Sequence, residues 1–295
     1  MCVDFICVGA QKAGTTAFYE LLKQHPDIGL SKKKEVHFFD IDDNYQKGVG
    51  WYKEFFDKTE GKNVYGECTP DYLLYNYVPK RIFETLGAQI KLIFILRNPV
   101  LRAYSQFNFH KMKGVEFEDD FLEKISGEKL DLENTNYNTW SDPPYYLERG
   151  LYFNQISRFL KYFSKEQMLF LTYEDLFGST KDLLLNETYK FLGVEAKRPE
   201  NSTKSNQSFV PREGFKGFLL NGLRKHKWIL QCLKSLLPKT LYFAIREKIV
   251  HRLQKRPDKI SIDQVNSILD QYFIDDIKRL ERLISKDLSH WYKKS

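Results

Sequence analysis

The stretch that most constrains the fold lies near the start of the chain and reads FICVGAQKAGTT, from Phe5 to Thr16. A short apolar run leads into a loop bounded by Gly9 and Gly14, and a sequence with helical periodicity follows. This order predicts a buried strand, a glycine-bounded turn and the beginning of a helix. Such a turn directs backbone N–H groups and the positive end of a helix dipole at one point, which favours a phosphate-like anion.

The position of the lysine distinguishes this loop from those of nucleotide-hydrolysing enzymes. Those loops read GxxxxGK[ST], with the lysine directly after the second glycine. Here Thr15 follows Gly14, and the lysine is Lys12, inside the loop. The anion cradle is therefore kept, whereas the lysine that contacts a triphosphate is displaced. A plain strand-to-helix turn, with Lys12 as a solvated charge, is the alternative interpretation.

A second strand-to-helix junction carries an arginine. The run KLIFILR, which ends at Arg97, is typical of a buried strand of a parallel sheet. A helical pattern follows and includes Ser105. Because ligands of open parallel sheets bind at the carboxyl ends of the strands, we expect both residues to lie near the first loop and to hold a second phosphate. For Arg97 alone, a surface ion pair is an equally good interpretation.

With these two motifs the chain resembles the sulfotransferases that use 3′-phosphoadenosine 5′-phosphosulfate (PAPS), above all the heparan-sulfate-type branch and its bacterial relatives. The segment QKAGTTAFYELL is similar to the 5′-phosphosulfate-binding loop of that family. The segment LRNPVLRAYSQF is similar to its 3′-phosphate-binding segment. The resemblance implies that PAPS and its product PAP are bound by Gln11, Lys12, Ala13, Gly14, Thr15, Thr16, Arg97 and Ser105.

Later segments extend the resemblance. KKKEVHFFD is similar to the family segment with the catalytic glutamate, which implies that Glu35 is the general base, with His37 as the alternative base or as its orienting partner. LTYEDL resembles a strand end whose tyrosine packs near adenine, here Tyr173, and NQSFVPR resembles a late cofactor loop, which implicates Arg212. The final stretch, 261–291, resembles the closing helix of the family. On its residues alone, KKKEVHFFD reads as a solvated basic turn before a buried strand edge.

One position departs from the heparan-type pattern. Those enzymes commonly carry a second active-site lysine in a segment like GEKSPxY, whereas this chain reads GECTPDY and has Cys68 at that place. The departure weakens the inference of a glycan acceptor and leaves Lys12 as the main cation near the transferred group. We expect Cys68 to be a small packed residue, since sulfuryl transfer needs no thiol.

The resemblance implies a specific chemistry. Sulfuryl transfer resembles phosphoryl transfer, in which the protein mainly positions the reactants and stabilises charge. Lys12 and the loop amides would stabilise the leaving phosphate, and Glu35 would accept the proton of a hydroxyl on a small-molecule or saccharide acceptor. No metal is expected. N-sulfation of an amine or guanidine, or a P-loop kinase-like activity, are the alternatives.

Composition limits partners and location. The net charge of +7 suits a polyanionic cofactor, and it would also suit nucleic acid or an anionic membrane. A non-enzymatic binder of nucleic acid would leave the two anion motifs unexplained, so we expect no nucleic-acid partner. The four cysteines fit neither a zinc site nor a disulfide framework, no apolar run would span a membrane, and the first strand begins almost at Met1. These features predict a cytoplasmic enzyme.

The alternation of strand and helix patterns predicts an α/β protein with a three-layer, P-loop-like fold, in which helices flank a central parallel sheet. We expect strands over 5–8, 64–67, 91–97 and 168–173, helices over 152–163 and 183–192, and one domain over 1–295. A basic amphipathic region, 213–257, is either a solvated helical face, a lid over the acceptor or, as a minority interpretation, a membrane-docking surface. The polar stretch 127–144 reads as a loop that closes over the acceptor.

Overall fold

The computed structural model describes residues 3–56, 61–113, 115–128, 130, 145–197, 210–211, 254–255 and 258–292. The chain divides into two compact units. The first comprises Met1–Ala103, Glu128–Ser205 and Ile262–Ser295, and the second comprises Tyr104–Gly127 and Asn206–Ser261. The single domain over 1–295 stays a prediction.

A parallel sheet forms the centre of the first unit. Its strands in chain order are β1 (Phe5–Gly9), β2 (Ile28–Leu30), β3 (Val64–Cys68), β4 (Lys91–Leu96) and β5 (Met168–Thr172). They lie side by side in the order β2-β3-β1-β4-β5, and each neighbouring pair is parallel. Every residue of β1 and β3 is buried, as expected for a parallel sheet with both faces covered. All carboxyl ends therefore face one edge.

Helices lie between the strands and after the last of them. They are α1 (Thr15–Leu22), α2 (Asp42–Tyr45), α3 (Gly48–Lys53), α4 (Val78–Leu86), α5 (Pro99–Lys113), α6 (Phe121–Ser126), α7 (Tyr152–Phe159), α8 (Tyr173–Phe177), α9 (Lys181–Leu192), α10 (Ile262–Ile268) and α11 (Ile274–Ile284). A π-helical turn, Leu269–Phe273, joins the last two, and 3₁₀ turns cover Pro70–Leu73, Glu148–Gly150, Lys165–Gln167 and Ser289–Trp291. Apolar residues at helical spacing drive the packing: α11 buries Ile277, Leu280 and Ile284.

The predicted fold class is confirmed, and several element boundaries differ from prediction. The strand expected to include Tyr173 ends at Thr172, because the hydroxyl of Thr172 accepts the N–H of Asp175 and caps α8. The helix expected to reach Phe163 ends at Phe159. Strand β2 was not predicted, since three residues give no periodic signal. No strand edge follows the basic residues 32–34.

The closing segment of the first unit packs near the exit of β4. The side-chain amide of Asn98 donates to the carbonyl of Trp291 at 3.1 Å, while its oxygen accepts the N–H groups of Val100 and Leu101 at 3.0 and 3.2 Å. The indole of Trp291 donates to Glu174 Oε2 at 3.3 Å. The C-terminal residues thus support the strand end that carries Arg97.

The described part of the second unit contains most of α5, the helix α6 and a short antiparallel pair, β6 (Val210–Pro211) with β7 (Gln254–Lys255). The rings of Tyr104 and Phe107 pack on Phe121, with centroids 5.3 and 5.4 Å away. The predicted basic region 213–257 lies outside the described residues apart from β7, and so does most of the polar stretch 127–144. Within the described ranges, no helix has the length and apolar character needed to cross a bilayer.

Candidate active site

The glycine-bounded loop has the geometry of an anion cradle. It joins β1 to α1, and Gly14 forms the N-cap of α1 with φ 96° and no side-chain cap. A Cβ at Gly14 would lie 2.9 Å from Phe177 Cε2 and 3.0 Å from Leu176 Cδ2, so only glycine fits there without displacement. Because no side chain caps this helix, the first N–H groups of α1, at Thr15 and Thr16, are oriented for an anion.

Arg97 is joined directly to this loop. Its Nη1 atom donates to the carbonyl of Lys12 at 3.0 Å, and its guanidinium lies 4.2 Å from the ring centroid of Tyr173. The hydroxyl of Tyr152 donates to the Arg97 carbonyl at 2.9 Å. Burial lowers the pKa of Arg97, and the group remains a cation at neutral pH. Its Nε atom is buried without a hydrogen-bond partner among the described residues, as expected of a donor prepared for an anion.

The other residues predicted to bind the cofactor lie in different parts of the chain. Ala13 is buried, and its N–H donates to the Ala10 carbonyl at 3.1 Å. Tyr173 begins α8, and the centroid of its ring lies 4.4 Å from that of Phe177. Ser105 lies half-buried on α5, in the second unit, and its approach to a phosphate stays a prediction. Arg212 lies outside the described residues.

Glu35 and His37 lie together in a loop that follows β2. Both have left-handed backbone values, φ 62° and φ 56°. The ammonium of Lys34 bonds to Glu35 Oε1, and His37 Nε2 lies 3.8 Å from Glu35 Oε2. On its other side, His37 Nδ1 lies 2.7 Å from Asp40 Oδ2. The imidazole is thus held between two carboxylates, which favours its protonated form.

The charges set the protonation states. Burial acts to raise the pKa of Glu35, but His37 and Lys34 outweigh it and lower that pKa to about 2. Burial acts to lower the pKa of His37, but the hydrogen bond to Asp40 and the nearby carboxylates of Glu35 and Asp71 raise it to about 10. Near neutral pH, Glu35 is therefore a carboxylate and His37 an imidazolium. Of the two candidate bases, only Glu35 is in the form that accepts a proton.

A buried carboxylate that the sequence analysis missed supports this loop. Glu67 is fully buried on β3 and accepts hydrogen bonds from Tyr52 at 2.6 Å, Thr69 at 2.6 Å and Tyr72 at 3.1 Å. Thr69 Oγ1 in turn accepts the N–H of Val36 at 3.1 Å, and the Tyr72 hydroxyl accepts that of Phe38 at 2.9 Å. The network therefore fixes the backbone on both sides of His37. The signal in the sequence is a glutamate inside an apolar strand, in GECTPDY.

Cys68 is a buried residue at the end of β3, paired in register with Cys7 of β1. Burial raises the pKa of its thiol, so it is a poor nucleophile at neutral pH. This environment agrees with the predicted packing role. The sequence analysis did not single out two cations of this region, Lys34 and Arg149. Lys34 bonds to Glu35, and Arg149 Nη1 donates to Asp71 Oδ1 at 2.5 Å.

The trio His37, Asp40 and Asp71 brings one ring nitrogen and two carboxylate oxygens within 4.8 Å of one another. These atom types also occur at metal sites. Here His37 is hydrogen-bonded to Asp40, and Asp71 is paired with Arg149, so we interpret the trio as an ion-paired cluster. That the reaction needs no metal stays a prediction.

Comparison with known proteins identifies the family. The sequence model of the family described as the sulfotransferase domain matches residues 3–215. Mouse heparan sulfate glucosamine 3-O-sulfotransferase 5 is 33% identical over 162 residues, which is 55% of this chain and 45% of that protein. Mouse bifunctional heparan sulfate N-deacetylase/N-sulfotransferase 4 is 32% identical over 231 residues, which is 74% of this chain and 25% of that protein.

The fold has a solved counterpart as well. The structure of a sulfotransferase from Alicyclobacillus acidocaldarius matches with a TM-score of 0.66 at 24% identity, over 98% of this chain and 98% of that one. The curated relatives named above are matched over less than half of their own length, 45% and 25%. The family match, in contrast, covers most of this chain and includes both anion motifs. The chain therefore belongs to the sulfotransferase family.

Proposed function

We propose that this protein transfers the sulfuryl group of PAPS to a hydroxyl of a small-molecule or saccharide acceptor and releases PAP. The observation that carries the proposal is the hydrogen bond of 3.0 Å between Arg97 and the carbonyl of Lys12. It joins the cradle at the end of β1 to the guanidinium at the end of β4, which makes one continuous anion-binding edge. A nucleotide with phosphates at two positions of its ribose needs such an extended edge.

The residues present fit this nucleotide. The uncapped start of α1 and the glycine that a Cβ would crowd suit a phosphate held by backbone N–H groups. The buried Nε of Arg97 offers a donor, and the Tyr173 ring beside it offers an aromatic surface. Gln11, Lys12 and Ala13 complete the loop, and Ser105 and Arg212 remain proposed contacts.

The proposed reaction is an in-line displacement at sulfur. The acceptor oxygen forms a bond to sulfur, the bond between sulfur and the bridging phosphate oxygen breaks, and that oxygen leaves with PAP. Lys12 and the N–H groups at the start of α1 stabilise the charge on the leaving phosphate. The Glu35 carboxylate takes the proton of the acceptor hydroxyl, and the charge of the His37 imidazolium, with Nε2 3.8 Å from Glu35 Oε2, orients Glu35.

The test combines binding and turnover. Calorimetry with PAP should show one site, and labelled sulfate from PAPS should appear in a hydroxylated acceptor. Glu35→Gln should reduce transfer by about a hundredfold to ten-thousandfold while PAP binding persists, since the substitution removes only the proton acceptor. The matched control is Glu20→Gln, on the exposed face of α1, with unchanged transfer. A wild-type protein that does not bind PAP would contradict the proposal.

An amine is the second candidate acceptor. It is favoured by the match to a relative whose name includes N-sulfotransferase, which covers 74% of this chain. A screen that offers hydroxyl and amine compounds in parallel, scored by labelled product, separates the two reactions. Release of phosphate from ATP with magnesium would instead indicate the kinase-like alternative, which the position of Lys12 disfavours.

A further inference from the structure

We infer that Asp71 is a positioning residue, which keeps His37 as the positively charged partner of Glu35 and links that pair to the anion-binding loop. The inference rests on the proposed sulfuryl transfer for its functional meaning. The arrangement itself is visible in the structure whether or not that reaction is correct.

Asp71 occupies a junction between three elements. It lies in the 3₁₀ turn after β3 and is 8% exposed. Its carboxylate lies within 4.8 Å of both His37 and Asp40. Its Oδ1 atom accepts from Arg149 Nη1 at 2.5 Å and from Gln11 Nε2 at 3.4 Å. Since Gln11 precedes Lys12, one carboxylate contacts the anion loop, the turn of Arg149 and the surroundings of His37.

Asp71 affects the protonation of His37 through the balance of charges around that ring. The carboxylates that face His37 are Glu35, Asp40 and Asp71, and the cations of the same cluster are Lys34, His37 and Arg149. These six groups carry three negative and three positive charges, so the charges of this set balance. Without Asp71, one positive charge is in excess. His37 is the cation that loses its proton most easily, because Lys and Arg have higher ordinary pKa values.

Loss of that proton would change the role of His37. A neutral imidazole hydrogen-bonded to Asp40 through Nδ1 presents a lone pair at Nε2 toward Glu35 Oε2, 3.8 Å away, so it no longer attracts that carboxylate. Among the described residues, the Glu35 carboxylate would then keep only Lys34 as its charged partner. The orientation of the base toward the acceptor therefore depends on Asp71, which acts through His37.

Nuclear magnetic resonance of the His37 ring tests the inference without an activity assay. The chain has six histidines. The ring signal of His37 is assigned as the one that is missing from the spectrum of a His37→Gln variant. In the wild type, His37 should stay protonated through about pH 9. In Asp71→Asn, the midpoint of its titration should fall by about one to two pH units, the usual effect of one close charge. The matched control Asp42→Asn removes a carboxylate paired with Arg81 and should leave the midpoint unchanged.

A midpoint in Asp71→Asn equal to that of the wild type would overturn the inference. If Asp71→Asn fails to fold because Arg149 is left buried and unpaired, the variant Arg149→Gln tests the same charge balance from the other side. It leaves Asp71 without its cation, so the His37 midpoint should rise, and an unchanged midpoint would overturn the inference. Asp71→Glu keeps the charge and should restore the wild-type midpoint.

Turnover then separates this inference from the proposed function. If the wild type transfers sulfate, Asp71→Asn should lose rate at a lower pH than the wild type, in step with the His37 midpoint and with little change in the KM for PAPS. A rate whose pH dependence does not shift with the titration midpoint of His37 would refute the positioning role. If the wild type transfers no sulfate to any acceptor, the proposed function fails, whereas the ring titration still decides whether Asp71 controls His37.

Discussion

The rate of sulfuryl transfer should be independent of pH between about pH 5 and pH 8, because neither member of the acid–base pair titrates in that range. The pKa of Glu35 is lowered to about 2, and that of His37 is raised to about 10. Glu35 is thus fully ionised, and His37 fully protonated, across the whole interval. If Glu35 accepts the acceptor proton, no essential group changes its charge there.

The competing assignment predicts a different profile. At pH 7, three units below about 10, the neutral imidazole of His37 makes up roughly one part in a thousand. If that minor form were the base, the rate would rise about tenfold per pH unit, or about a hundredfold from pH 6 to pH 8. The two assignments therefore differ by about two orders of magnitude over an easily measured range.

The assay has to report the chemical step. We would use rapid-quench single turnovers with enzyme in excess over labelled PAPS and a simple alcohol as acceptor, because product release then does not limit the signal. His37→Gln should lower the plateau without adding a slope, and Glu35→Gln should remove it. A slope of one in log rate against pH in the wild type would refute our reading of the charges and return the base role to His37.

The stability of the fold also limits the pH range over which the transfer rate can be measured. His37 has a raised pKa when folded, so its stabilising contribution is complete below its unfolded value of 6.5 and is lost as the pH rises through about 10. Glu35 has a lowered pKa, so its contribution is present above 4.5 and is lost as the pH falls through about 2. Part of the His37 contribution is already lost at pH 8, so circular dichroism at each pH has to show that the protein stays folded from about pH 5 to pH 8.

Three further substitutions test the cofactor edge. Arg97→Lys should weaken PAP binding about tenfold to a hundredfold in calorimetry, since lysine replaces neither the planar fork nor the stack on Tyr173, and an unchanged Kd would contradict the assignment. Lys12→Ala should lower kcat by about a hundredfold or more and change the Kd of PAP much less, because Lys12 stabilises charge that develops in the transition state. Equal losses in kcat and in PAP affinity would indicate that Lys12 only binds the nucleotide. Gly14→Ala should lower the free energy of unfolding by about 1–3 kcal/mol in urea titrations, since φ 96° and the Phe177 ring exclude a Cβ; a wild-type midpoint would show that the loop relaxes.

Much of the sheet could be predicted from the sequence because its strands are continuous apolar runs. β1 and β4 are buried on both faces, and such runs are recognisable without knowledge of their partners. The boundary between β5 and α8 could not be predicted in this way. Tyr173 continues an apolar run, and only the capping hydroxyl of Thr172 ends the strand. Local capping thus decided a boundary that periodicity left open.

The candidate site was predictable only in part. The anion loop and Arg97 follow from local order along the chain, since each lies directly after a strand. The partners of the acid–base pair do not: Arg149 reaches Asp71 from 78 positions away, and Thr69 reaches Val36 from 33 positions away. No periodic pattern encodes such pairings, so Asp71, Arg149 and Glu67 became recognisable as part of the site only in the folded chain.

These long-range contacts also explain how an unfavourable loop persists. Glu35 and His37 both adopt left-handed backbone values, which cost about 1–3 kcal/mol per residue outside glycine. Glu67, fully buried with three donors, fixes Thr69 and Tyr72, and these hold the N–H groups of Val36 and Phe38 on either side of His37. The strained loop is thus maintained by β3 and the turn after it. It follows that the segments KKKEVHFFD and GECTPDY form one functional unit, and that a graft of the first without the second would carry the glutamate but not its geometry.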